Sequence, residues 1–406
     1  MSDMVFELIR KEKARQKSQI HLIPSENFVS ENVLKAIGSC LTNKYAEGYA
    51  GRRYYQGNKI IDEIENLVVE KGKELFGVPY MNVQPYSGSP ANEAVLFALL
   101  EPGDKICGMK LSAGGHLTHG HPKITFGGKY FDTVQYGVNK NGKVDYDELT
   151  RLVKKEKPKL IWVGTTAYPW ILDWKKFSEI AGSVGAWLIA DISHIAGLVV
   201  AGVHPSPVDY VDVVTSTTHK TLRGSRGAFI AVTKTGLSKD SKLARKIDKA
   251  VFPGMQGGPH INNIAGIGVA FEEASNLKFK QYGKQVVNNA KVLADELKNF
   301  GFKVFGTENH LMLVEFGVGE GRKTAEALDE AGIIVNYNTV PGEKGTAMSP
   351  SGIRIGTPAE TTRGMKEDDM KRIAGFIKRA VDNIDNKVEL EKIKKEVRSF
   401  LKKFIV

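Results

Sequence analysis

The sequence predicts an α/β fold with a mostly parallel sheet, followed by a smaller α+β region at the carboxyl end. Between about residues 60 and 270, short apolar stretches alternate with longer helical patterns, as in parallel sheets whose strands are joined by helices. The strand-like stretches are apolar almost throughout, which is typical of strands covered on both faces. After about residue 270 this alternation stops, which indicates a change of architecture.

The elements follow one another in a regular order. A charged helical arm, interrupted by the loop "HLIPSENF", reaches about residue 38. The periodicity then predicts helices over 61–77, 90–100, 144–156 and 174–185, and strands over 104–109, 159–164, 187–191 and 210–216. Because open α/β sheets bind ligands beyond the carboxyl ends of their strands, the residues after each strand carry the most information on function.

The carboxyl-terminal region reads as a separate unit. A long helix is predicted over 267–301, then strands 303–306 and 310–317, helix 321–332, strands 333–337 and 352–357, and two terminal helices. We expect three parts: an N-terminal arm and helix at 1–38, a large α/β domain at 39–270 and a small α+β domain at 271–406.

The composition is that of an ordinary folded protein, with 42% hydrophobic and 25% charged residues among 406. The first residues, "MSDMVFELIRKEKARQKSQ", carry charges throughout and lack the apolar core of a signal peptide. No stretch approaches the ~18 apolar residues of a membrane span. The two cysteines, Cys40 and Cys107, form no disulfide or metal pattern. Together these features predict a cytoplasmic protein.

The formal net charge of +11 has two interpretations. Lys and Arg bind nucleic acids by neutralising phosphates, and they equally suit anionic small molecules. In "KEDDMKRIAGFIKRAVDNID" basic and acidic residues are interleaved, which favours solvated helix faces. A basic RNA-binding protein that stacks bases on the tyrosines of "EGYAGRRYYQG" remains an alternative.

The segment "TSTTHKTLRG" places Lys220 just after the predicted strand 210–216. A lysine held near other cations and away from water has a lowered pKa and can bond an aldehyde. Asp191 ends the preceding predicted strand, so we expect the two side chains at neighbouring strand ends. An Asp for a pyridinium nitrogen beside a Lys for an aldehyde is the arrangement that pyridoxal phosphate enzymes require. An ordinary loop lysine and a capping Asp are the alternatives.

Three further motifs suit a phosphorylated cofactor and a carboxylate substrate. Ser87, Gly88 and Ser89 lead into a helix whose first residue is predicted to be Pro90, leaving N–H groups free for an anion, although ordinary capping explains them equally. "LSAGGHLTHGHPK" has three histidines but no Cys or carboxylate to complete a metal site, so stacking on a planar cofactor is favoured and no metal is expected. Arg354 in "SGIRIGTP" suits bidentate binding of a carboxylate, with a surface Arg as the alternative.

Taken together, the motifs resemble the serine hydroxymethyltransferase family of pyridoxal phosphate enzymes, which have the aspartate aminotransferase fold (fold type I). The segments "IPSENF", "LTNKYAEGYAGRRYYQG", "NVQPYSGSPAN", "GGHLTHG", "DISHIAGL", "TSTTHKTLRGSRG", "FPGMQGGP", "NTVP" and "SGIRIGTP" occur in the family's order between about residues 20 and 380. The resemblance implies a seven-stranded large-domain sheet and a homodimer with shared active sites. It implies reversible transfer of the serine hydroxymethyl carbon to a reduced pterin, tetrahydrofolate or tetrahydromethanopterin, giving glycine.

The resemblance also implies roles for individual residues. The implied cofactor contacts are Lys220 on the aldehyde, Asp191 on the pyridinium nitrogen, His116 on the ring, Ser87, Gly88 and Ser89 on the phosphate, Thr166, His194 and Arg226, and Gly257 and Gly258 from a second subunit. The implied catalytic residues are Lys220, Glu47, Tyr55, His194, Thr217 and His219. The implied substrate contacts are Ser25, Tyr45, Glu47, Tyr55 and Arg354, and the pterin contacts are Leu111, Gly115, His116, Leu117 and Asn338.

The chain departs from the family's commoner pattern at several positions. These are Tyr86 for His, Pro90 for Gln, Thr166 for Ser, Ile192 and Ser193 for Met-Ala, and Ser225 for Pro. The segment "GEKGTAM" matches the pterin-contact loop poorly, which leaves the identity of the pterin open. A threonine aldolase of the same fold, sharing Lys220 and Asp191 but using no pterin, is the nearest alternative.

Overall fold

The chain folds into a large layered α/β part and a smaller α+β part, described over residues 2–122, 124–346 and 348–404 of a computed structural model. Across those ranges, no helix combines the length and apolar character needed to cross a membrane. The strands are β1 (Ile20–His21), β2 (Gly48–Tyr49), β3 (Arg52–Arg53), β4 (Tyr80–Asn82), β5 (Lys105–Met109), β6 (Asp132–Tyr136), β7 (Leu160–Gly164), β8 (Trp187–Asp191), β9 (Val213–Thr217), β10 (Ala228–Val232), β11 (Lys303–Phe305), β12 (Leu311–Glu315), β13 (Ile333–Ile334), β14 (Asn336–Asn338) and β15 (Gly352–Gly356).

Helices connect and cover these strands. They are α1 (Ser2–Ser18), α2 (Glu31–Ile37), α3 (Lys59–Phe76), α4 (Gly88–Leu99), α5 (Phe126–Tyr130), α6 (Tyr146–Glu156), α7 (Trp174–Gly182), α8 (Ala196–Val200), α9 (Lys234–Lys239), α10 (Leu243–Lys249), α11 (Ile261–Ala274), α12 (Leu277–Asn299), α13 (Gly321–Glu330), α14 (Pro358–Thr362), α15 (Glu367–Asp382) and α16 (Lys387–Leu401). Short 3₁₀ turns cover Cys40–Asn43, Leu111–Ala113 and Leu117–His119, and a π-type turn covers Ala250–Met255.

The central sheet has seven strands among the described residues, in the order β4-β10-β9-β8-β7-β5-β6. Strands β5 to β9 run parallel, and β10 is antiparallel to both of its neighbours. The mostly parallel sheet predicted from the sequence is therefore confirmed. The apolar pattern alone did not reveal β4, β6 and β10.

Both faces of this sheet are buried, which explains why its strands are apolar rather than alternating. In β7, Ile161 and Val163 pack into the core on one face, whereas Leu160 and Trp162 pack into the core on the other. Register pairs Gly164 with Asp191 and Asp191 with Thr215, so the carboxyl ends of β7, β8 and β9 lie side by side.

The smaller part is built on an antiparallel sheet with the order β11-β12-β15-β14. The N-terminal arm joins it, because β1 pairs in parallel with β13 and Ile20 lies in its core. Helix α12 is shared, since Phe279 and Val286 pack with the large part and Leu293 packs with the small one.

Two predictions from periodicity were wrong in detail. The helix predicted over 267–301 is two helices, because the Asn276 side chain caps the first turn of α12 by accepting a hydrogen bond from the Phe279 N–H at 3.0 Å. The strand predicted over 333–337 is divided between β13, which pairs with the arm, and β14, which pairs with β15.

Candidate active site

A cavity of about 410 Å³ opens where the carboxyl ends of β7, β8 and β9 meet. Many of the residues singled out in the sequence line it: Ser25, Ser87, Gly88, Ser89, His116, Thr166, Asp191, His194, Thr217, His219, Lys220, Arg226 and Arg354. The lining of this cavity does not include Tyr45, Glu47, Tyr55, Leu111, Gly115, Leu117, Gly257, Gly258 or Asn338. The predicted residues therefore fall into an inner set and an outer set.

Asp191, at the end of β8, holds its carboxylate in a dense set of hydrogen bonds. Oδ2 accepts from Asn92 Nδ2 at 2.9 Å and from His119 Nε2 at 3.0 Å. Oδ1 accepts from the backbone N–H of Ser193 at 3.0 Å and from its hydroxyl at 2.6 Å. Burial by itself raises the pKa of Asp191, but the bond from His119 and the other donors outweigh it and hold this pKa well below its ordinary range. The cavity therefore contains a fixed negative charge.

His119, which shares Oδ2 of Asp191 with Asn92, is itself held in place by an aromatic contact. Its ring stacks on Trp162 of β7, with centroids 5.2 Å apart and an interplanar angle of 12°. Because a carboxylate can only accept, Nε2 of His119 carries the ring proton. Among the described residues, no group of three His, Cys, Asp or Glu side chains is placed to hold a metal ion.

Lys220 lies three residues beyond β9, in a turn that neighbouring hydroxyls hold closed. The Thr218 hydroxyl donates to the Ser225 carbonyl at 2.7 Å, and the Thr218 carbonyl accepts from the Gly224 N–H at 2.6 Å. The Lys220 carbonyl accepts from Asn27 Nδ2 at 3.0 Å. The Thr-rich setting of this lysine therefore has a structural cause: the hydroxyls fix the turn and leave the amine to the cavity.

The Lys220 amine has no hydrogen-bond or ion-pair partner within the described part of the chain. Burial, opposed by the charge of Asp191 and aided by Arg354 and Arg226, lowers its pKa to about 8. A substantial fraction of neutral amine is therefore present near pH 7 to 8, as a nucleophile requires.

The phosphate end of the predicted site is the N-terminus of α4. Ser87 is its N-cap and makes no side-chain cap bond, so the first N–H groups of the helix are free for an anion. The helix begins at Gly88, so the prediction that Pro90 is its first residue was wrong. A Cβ on Gly88 would lie 2.7 Å from Thr217 Cγ2, so only glycine allows helix and strand end to approach this closely.

Two residues that line the cavity have buried polar atoms without a partner in the described residues, Thr217 Oγ1 and His219 Nδ1. Burial lowers the pKa of His219 to about 3, with help from Lys220 and Arg226. An anionic, polar cofactor would satisfy these atoms and offset the cations nearby. The residues present therefore fit pyridoxal phosphate.

His116 and His194 line the cavity as neutral rings. Burial lowers the pKa of His116 to about 4, and its Nδ1 lies 2.7 Å from the Thr118 hydroxyl. Burial also lowers the pKa of His194 well below its ordinary value, followed in effect by Lys220 and Arg354. His194 Nδ1 lies 3.2 Å from Nε2 of His310, a residue of the small part just before β12.

Arg354 extends from β15 of the small sheet toward the end of β7. Its Nη1 donates to the Thr166 carbonyl at 2.5 Å, and its Nε donates to Asn336 Oδ1 at 3.0 Å. Burial lowers the Arg354 pKa to about 10, so the guanidinium stays charged at neutral pH. It has no carboxylate partner among the residues that the structure describes, which leaves a buried cation to bind an external anion.

The outer cluster consists of Tyr45, Glu47, Tyr55, Gly257 and Gly258, and it lies on the surface of the chain. The Tyr45 hydroxyl donates to Glu47 Oε1 at 3.3 Å, and the Tyr45 and Tyr55 rings meet edge to face at 4.8 Å. A Cβ on Gly257 would lie 3.1 Å from Glu47 Oε1, and one on Gly258 would lie 3.5 Å from the Tyr45 ring. Both tyrosines are about half exposed. Five predicted residues thus meet, but outside the cavity of their own chain.

Arg53 holds the backbone on either side of Glu47. Its Nη1 donates to the carbonyls of Ala46 and Gly48 at 2.9 and 2.7 Å. The guanidinium is itself neutralised by Asp62 and Glu65, at 2.8 and 2.5 Å. Glu47 is therefore presented by a rigid hairpin although it lies at the surface.

Of the predicted pterin residues, His116 lines the inner cavity and Gly115 contacts Thr166, a residue of its lining. Gly115 accepts a hydrogen bond from the Thr166 hydroxyl at 3.0 Å, and Leu117 directly follows His116. Leu111 and Leu117 are 38% and 39% exposed. A small cleft is lined by residues 112–114 and by Thr339, which follows Asn338, so the two loops are neighbours.

Sequence reasoning missed several residues of the site, which are Asn92, His119 as a partner of Asp191, Ser193, His310 and Asn336. Each acts by touching a side chain that had been predicted. For His119 the motif "GGHLTHG" held a signal, because it offers two histidines at a strand end. The others have no local signal, since their partners are distant in sequence.

A buried lysine beside a strand-end Asp in one cavity, on a mostly parallel sheet with a small antiparallel part, is the arrangement of the class of fold type I pyridoxal phosphate enzymes. The family model described as serine hydroxymethyltransferase matches residues 1–377. The chain is 51% identical over 404 residues to a serine hydroxymethyltransferase of Desulfotalea psychrophila (strain LSv54 / DSM 12343), covering 98% of this chain and 93% of that protein. It is 52% identical over 407 residues to one of Methanosarcina barkeri (strain Fusaro / DSM 804), covering 99% and 97%. The chain belongs to the serine hydroxymethyltransferase family.

Proposed function

We infer that this chain interconverts serine and glycine with pyridoxal phosphate as cofactor and a reduced pterin as the carrier of the one-carbon unit. Family membership over nearly the whole chain supports this reaction. The observation that carries this inference is that Lys220, Asp191 and Arg354 line the same cavity. An amine of lowered pKa, a fixed carboxylate and an unpaired buried guanidinium are what an aldehyde cofactor and an amino-acid substrate need.

Each end of the cavity suits one part of the cofactor. When bound, pyridoxal phosphate supplies an electron sink that lets the Cα–Cβ bond of serine break. We propose that Lys220 Nζ bonds its aldehyde, Asp191 pairs with its ring nitrogen, and the first turn of α4 with Ser87 and Ser89 binds its phosphate. His116, His194, Thr166, Thr217, His219 and Arg226 are proposed to complete the cofactor site.

Arg354 is proposed to bind the serine carboxylate. Its Nε and one Nη1 hydrogen are engaged by Asn336 and Thr166, which fixes the plane of the guanidinium. The Nη2 hydrogens remain for two charge-assisted bonds to the substrate. Ser25, which lines the same cavity, is proposed to bind the substrate beside it.

The amine of Lys220 is proposed to move protons as well as to bind. With its pKa lowered to about 8, Nζ can accept a proton and return it at neutral pH. The turn fixed by Thr218 and Asn27 keeps this amine at the end of β9.

We propose that a homodimer completes each site, with the outer cluster of one chain facing the cavity of the other. Two observations support this. Glu47 and Tyr55 are held rigidly at the surface, away from the cavity of their own chain. On α3 and α4, Ile60, Leu67 and Phe97 are more than half exposed, and exposed apolar side chains favour a protein interface.

In such a dimer Glu47 would transfer the proton between the hydroxymethyl group and the pterin, and Tyr45 and Tyr55 would contact the substrate. The neighbour Glu47 raises the pKa of Tyr45, so this phenol stays protonated and can donate. The pterin is proposed to bind at the rim formed by Leu111, Gly115, His116, Leu117 and Asn338. Cleavage of serine with tetrahydrofolate or with tetrahydromethanopterin distinguishes which of the two pterins is used.

Two further expectations stay proposals. We propose a cytoplasmic location, supported by the free thiols of Cys40 and Cys107. We also propose the division into an arm at 1–38, a large domain at 39–270 and a small domain at 271–406, with α12 shared by two cores as described above.

The experiment compares wild type with Lys220→Ala and, as a matched control, Lys395→Ala, which removes an exposed lysine of α16. Each protein is loaded with pyridoxal phosphate and treated with borohydride, and mass spectrometry locates the modified lysine. Each is then assayed for cleavage of carbon-labelled serine with tetrahydrofolate, with tetrahydromethanopterin and with neither.

We expect modification at Lys220 only, and pterin-dependent cleavage by wild type and Lys395→Ala but not by Lys220→Ala. Modification at another lysine would contradict the site. Cleavage that is equally fast without a pterin would indicate an aldolase. RNA binding that is sensitive to salt and survives the loss of Lys220, in a protein without cleavage activity, would favour the binding-protein alternative.

A further inference from the structure

Ser193 connects Asp191, which is proposed to pair with the ring nitrogen of the cofactor, to the end of the strand that leads to Lys220. It lies two residues after Asp191 and is 8% exposed. Its hydroxyl donates to Asp191 Oδ1 at 2.6 Å. The Ser193 hydroxyl oxygen also accepts a hydrogen bond from the backbone N–H of Thr217 at 3.0 Å. One hydroxyl therefore joins the Asp191 carboxylate to the last residue of β9.

This contact lies beyond the paired part of the two strands. The ladder between β8 and β9 ends with Asp191 opposite Thr215, followed by a hydrogen bond from the Ile192 N–H to the Thr215 carbonyl at 2.9 Å. Thr217 itself pairs with Ala228 of β10. On the β8 side, the Ser193 hydroxyl is thus the contact that holds the Thr217 N–H, three residues before Lys220.

The hydrogen bond from the Ser193 hydroxyl to Asp191 is stronger than one between two neutral groups. Its acceptor is an ionised carboxylate, and the distance of 2.6 Å is in the range of charge-assisted bonds from a hydroxyl. The other oxygen of Asp191 is held by Asn92 of α4 and by His119. The carboxylate is therefore fixed from three segments, and Ser193 supplies the link to the strand that leads to Lys220.

We propose that Ser193 is a positioning residue for pyridoxal phosphate, which keeps Asp191 at a set distance from the strand end that carries Lys220. The inference rests on the proposed function, in which these two residues hold the ring nitrogen and the aldehyde. The family resemblance implies a commoner alanine at this position, which has no hydroxyl. The link is therefore a feature of this chain rather than a requirement of the reaction.

The first test uses the protein without cofactor. Ser193→Ala removes the acceptor of the Thr217 N–H, so amide hydrogen exchange at Thr217 should become about tenfold faster. Ser183→Ala is the matched control, because the Ser183 hydroxyl donates to the Ile180 carbonyl at 2.7 Å, in the segment that enters β8 from its far end. Exchange at Thr217 should be unchanged in the control.

The second test measures the cofactor itself. Titration of the apoprotein with pyridoxal phosphate should give a dissociation constant about tenfold higher for Ser193→Ala, and an unchanged one for Ser183→Ala. With ¹⁵N-labelled cofactor, the ring-nitrogen resonance should move in Ser193→Ala only, because Asp191 loses a donor and becomes more basic. A merely structural role would leave that resonance in place.

Unchanged Thr217 exchange in Ser193→Ala would overturn the link. Faster exchange with an unchanged dissociation constant and resonance would reduce Ser193 to a support of the fold. A wild type that binds no pyridoxal phosphate would overturn the proposed function and this inference with it, and the exchange measurement separates that failure from absence of the link.

Discussion

The inner cavity and the outer cluster differ in how complete they are within one chain. In the cavity, both carboxylate oxygens of Asp191 accept hydrogen bonds from residues of the same chain. Asp191, Lys220 and Arg354 line a single cavity. In the outer cluster, Glu47 and Tyr55 are equally well fixed but face outward. Rigidity is therefore common to both, and only the cavity already has a ligand-sized volume.

The difference separates the part of the site that the sheet positions within one chain from the part that needs a second chain to face it. The ends of parallel strands converge automatically, so residues after β7, β8 and β9 meet without further devices. A surface hairpin braced by Arg53 has no such partner inside the chain. Two half-sites with different origins explain why a shared active site is the natural proposal.

The largest expected effect comes from mixing two inactive variants. Lys220→Ala damages the cavity and Glu47→Gln damages the outer cluster, so each alone should lose about 10²-fold or more of its activity. If sites are shared across a twofold axis, half of the dimers in an equal, refolded mixture are hybrids with one intact site, and about a quarter of the wild-type rate should return.

The control for the mixture is Lys220→Ala with Arg354→Ala, which damages the cavity twice and should leave hybrids without an intact site. Activity is measured after co-refolding and again after mixing without refolding. A mixture of Lys220→Ala and Glu47→Gln that stays inactive, while both proteins are dimeric, would contradict the shared site.

The next effect separates substrate from cofactor within the cavity. Arg354→Lys removes a planar pair of donors, so the KM for serine should rise about 10²-fold through loss of charge-assisted bonds. The dissociation constant of pyridoxal phosphate should change little, because Arg354 is proposed to contact the substrate only. Steady-state kinetics and cofactor titration check this, and equal losses in both would contradict the assignment.

A smaller effect tests the free-energy cost of burying the Lys220 amine. Lys220→Met should stabilise the apoprotein by about 3 kcal/mol at pH 7, because a buried amine with its pKa lowered from 10.5 to about 8 is removed. Between these two values the unfolded wild type binds more protons than the folded one, so wild-type stability should rise with pH and the advantage of the variant should shrink.

Urea unfolding at several pH values between 7 and 10.5 measures this difference, with Lys395→Met as the control. The control should follow the wild-type curve, since Lys395 is exposed. Parallel curves for wild type and Lys220→Met across the whole range would contradict the lowered pKa.

The smallest expected effect concerns the outer cluster. Asn58 is buried and donates to the carbonyls of Tyr55 and Tyr45 at 2.8 and 3.4 Å. Asn58→Ala should reduce activity about fivefold by loosening these residues, which corresponds to one ordinary hydrogen bond. Cofactor affinity should stay as in wild type, and a loss of cofactor affinity instead would mean that the two regions are not separate.

The sequence predicted that Asp191 and Lys220 lie close together, because this prediction needs only the local pattern of two neighbouring strands. Asp191 and Lys220 each follow an apolar strand, and adjacent parallel strands bring such residues together. The stacking of His119 on Trp162 was not predictable, because it depends on the packing of segments far apart in the chain. The break between α11 and α12 did have a signal, since Asn276 is a favourable N-cap, but apolar periodicity continues across it.

The outward direction of Glu47 and Tyr55 was beyond local reasoning altogether. The motif "YAEGYAGRRYY" identified them, but which way the hairpin faces is decided by Arg53 and its two carboxylate partners. Sequence patterns therefore supplied the candidate residues, whereas burial and tertiary contacts decide which chain's cavity these residues can face.

The contact between His194 and His310 has one more consequence, for acid tolerance. Histidine pairs at the junction of two structural parts often act as pH sensors, separating when both rings take up a proton. Here burial lowers the pKa of His310 to about 3 and that of His194 well below its ordinary value. This contact between the large and small parts therefore stays uncharged through mild acidification, so charge repulsion between the two rings does not separate them.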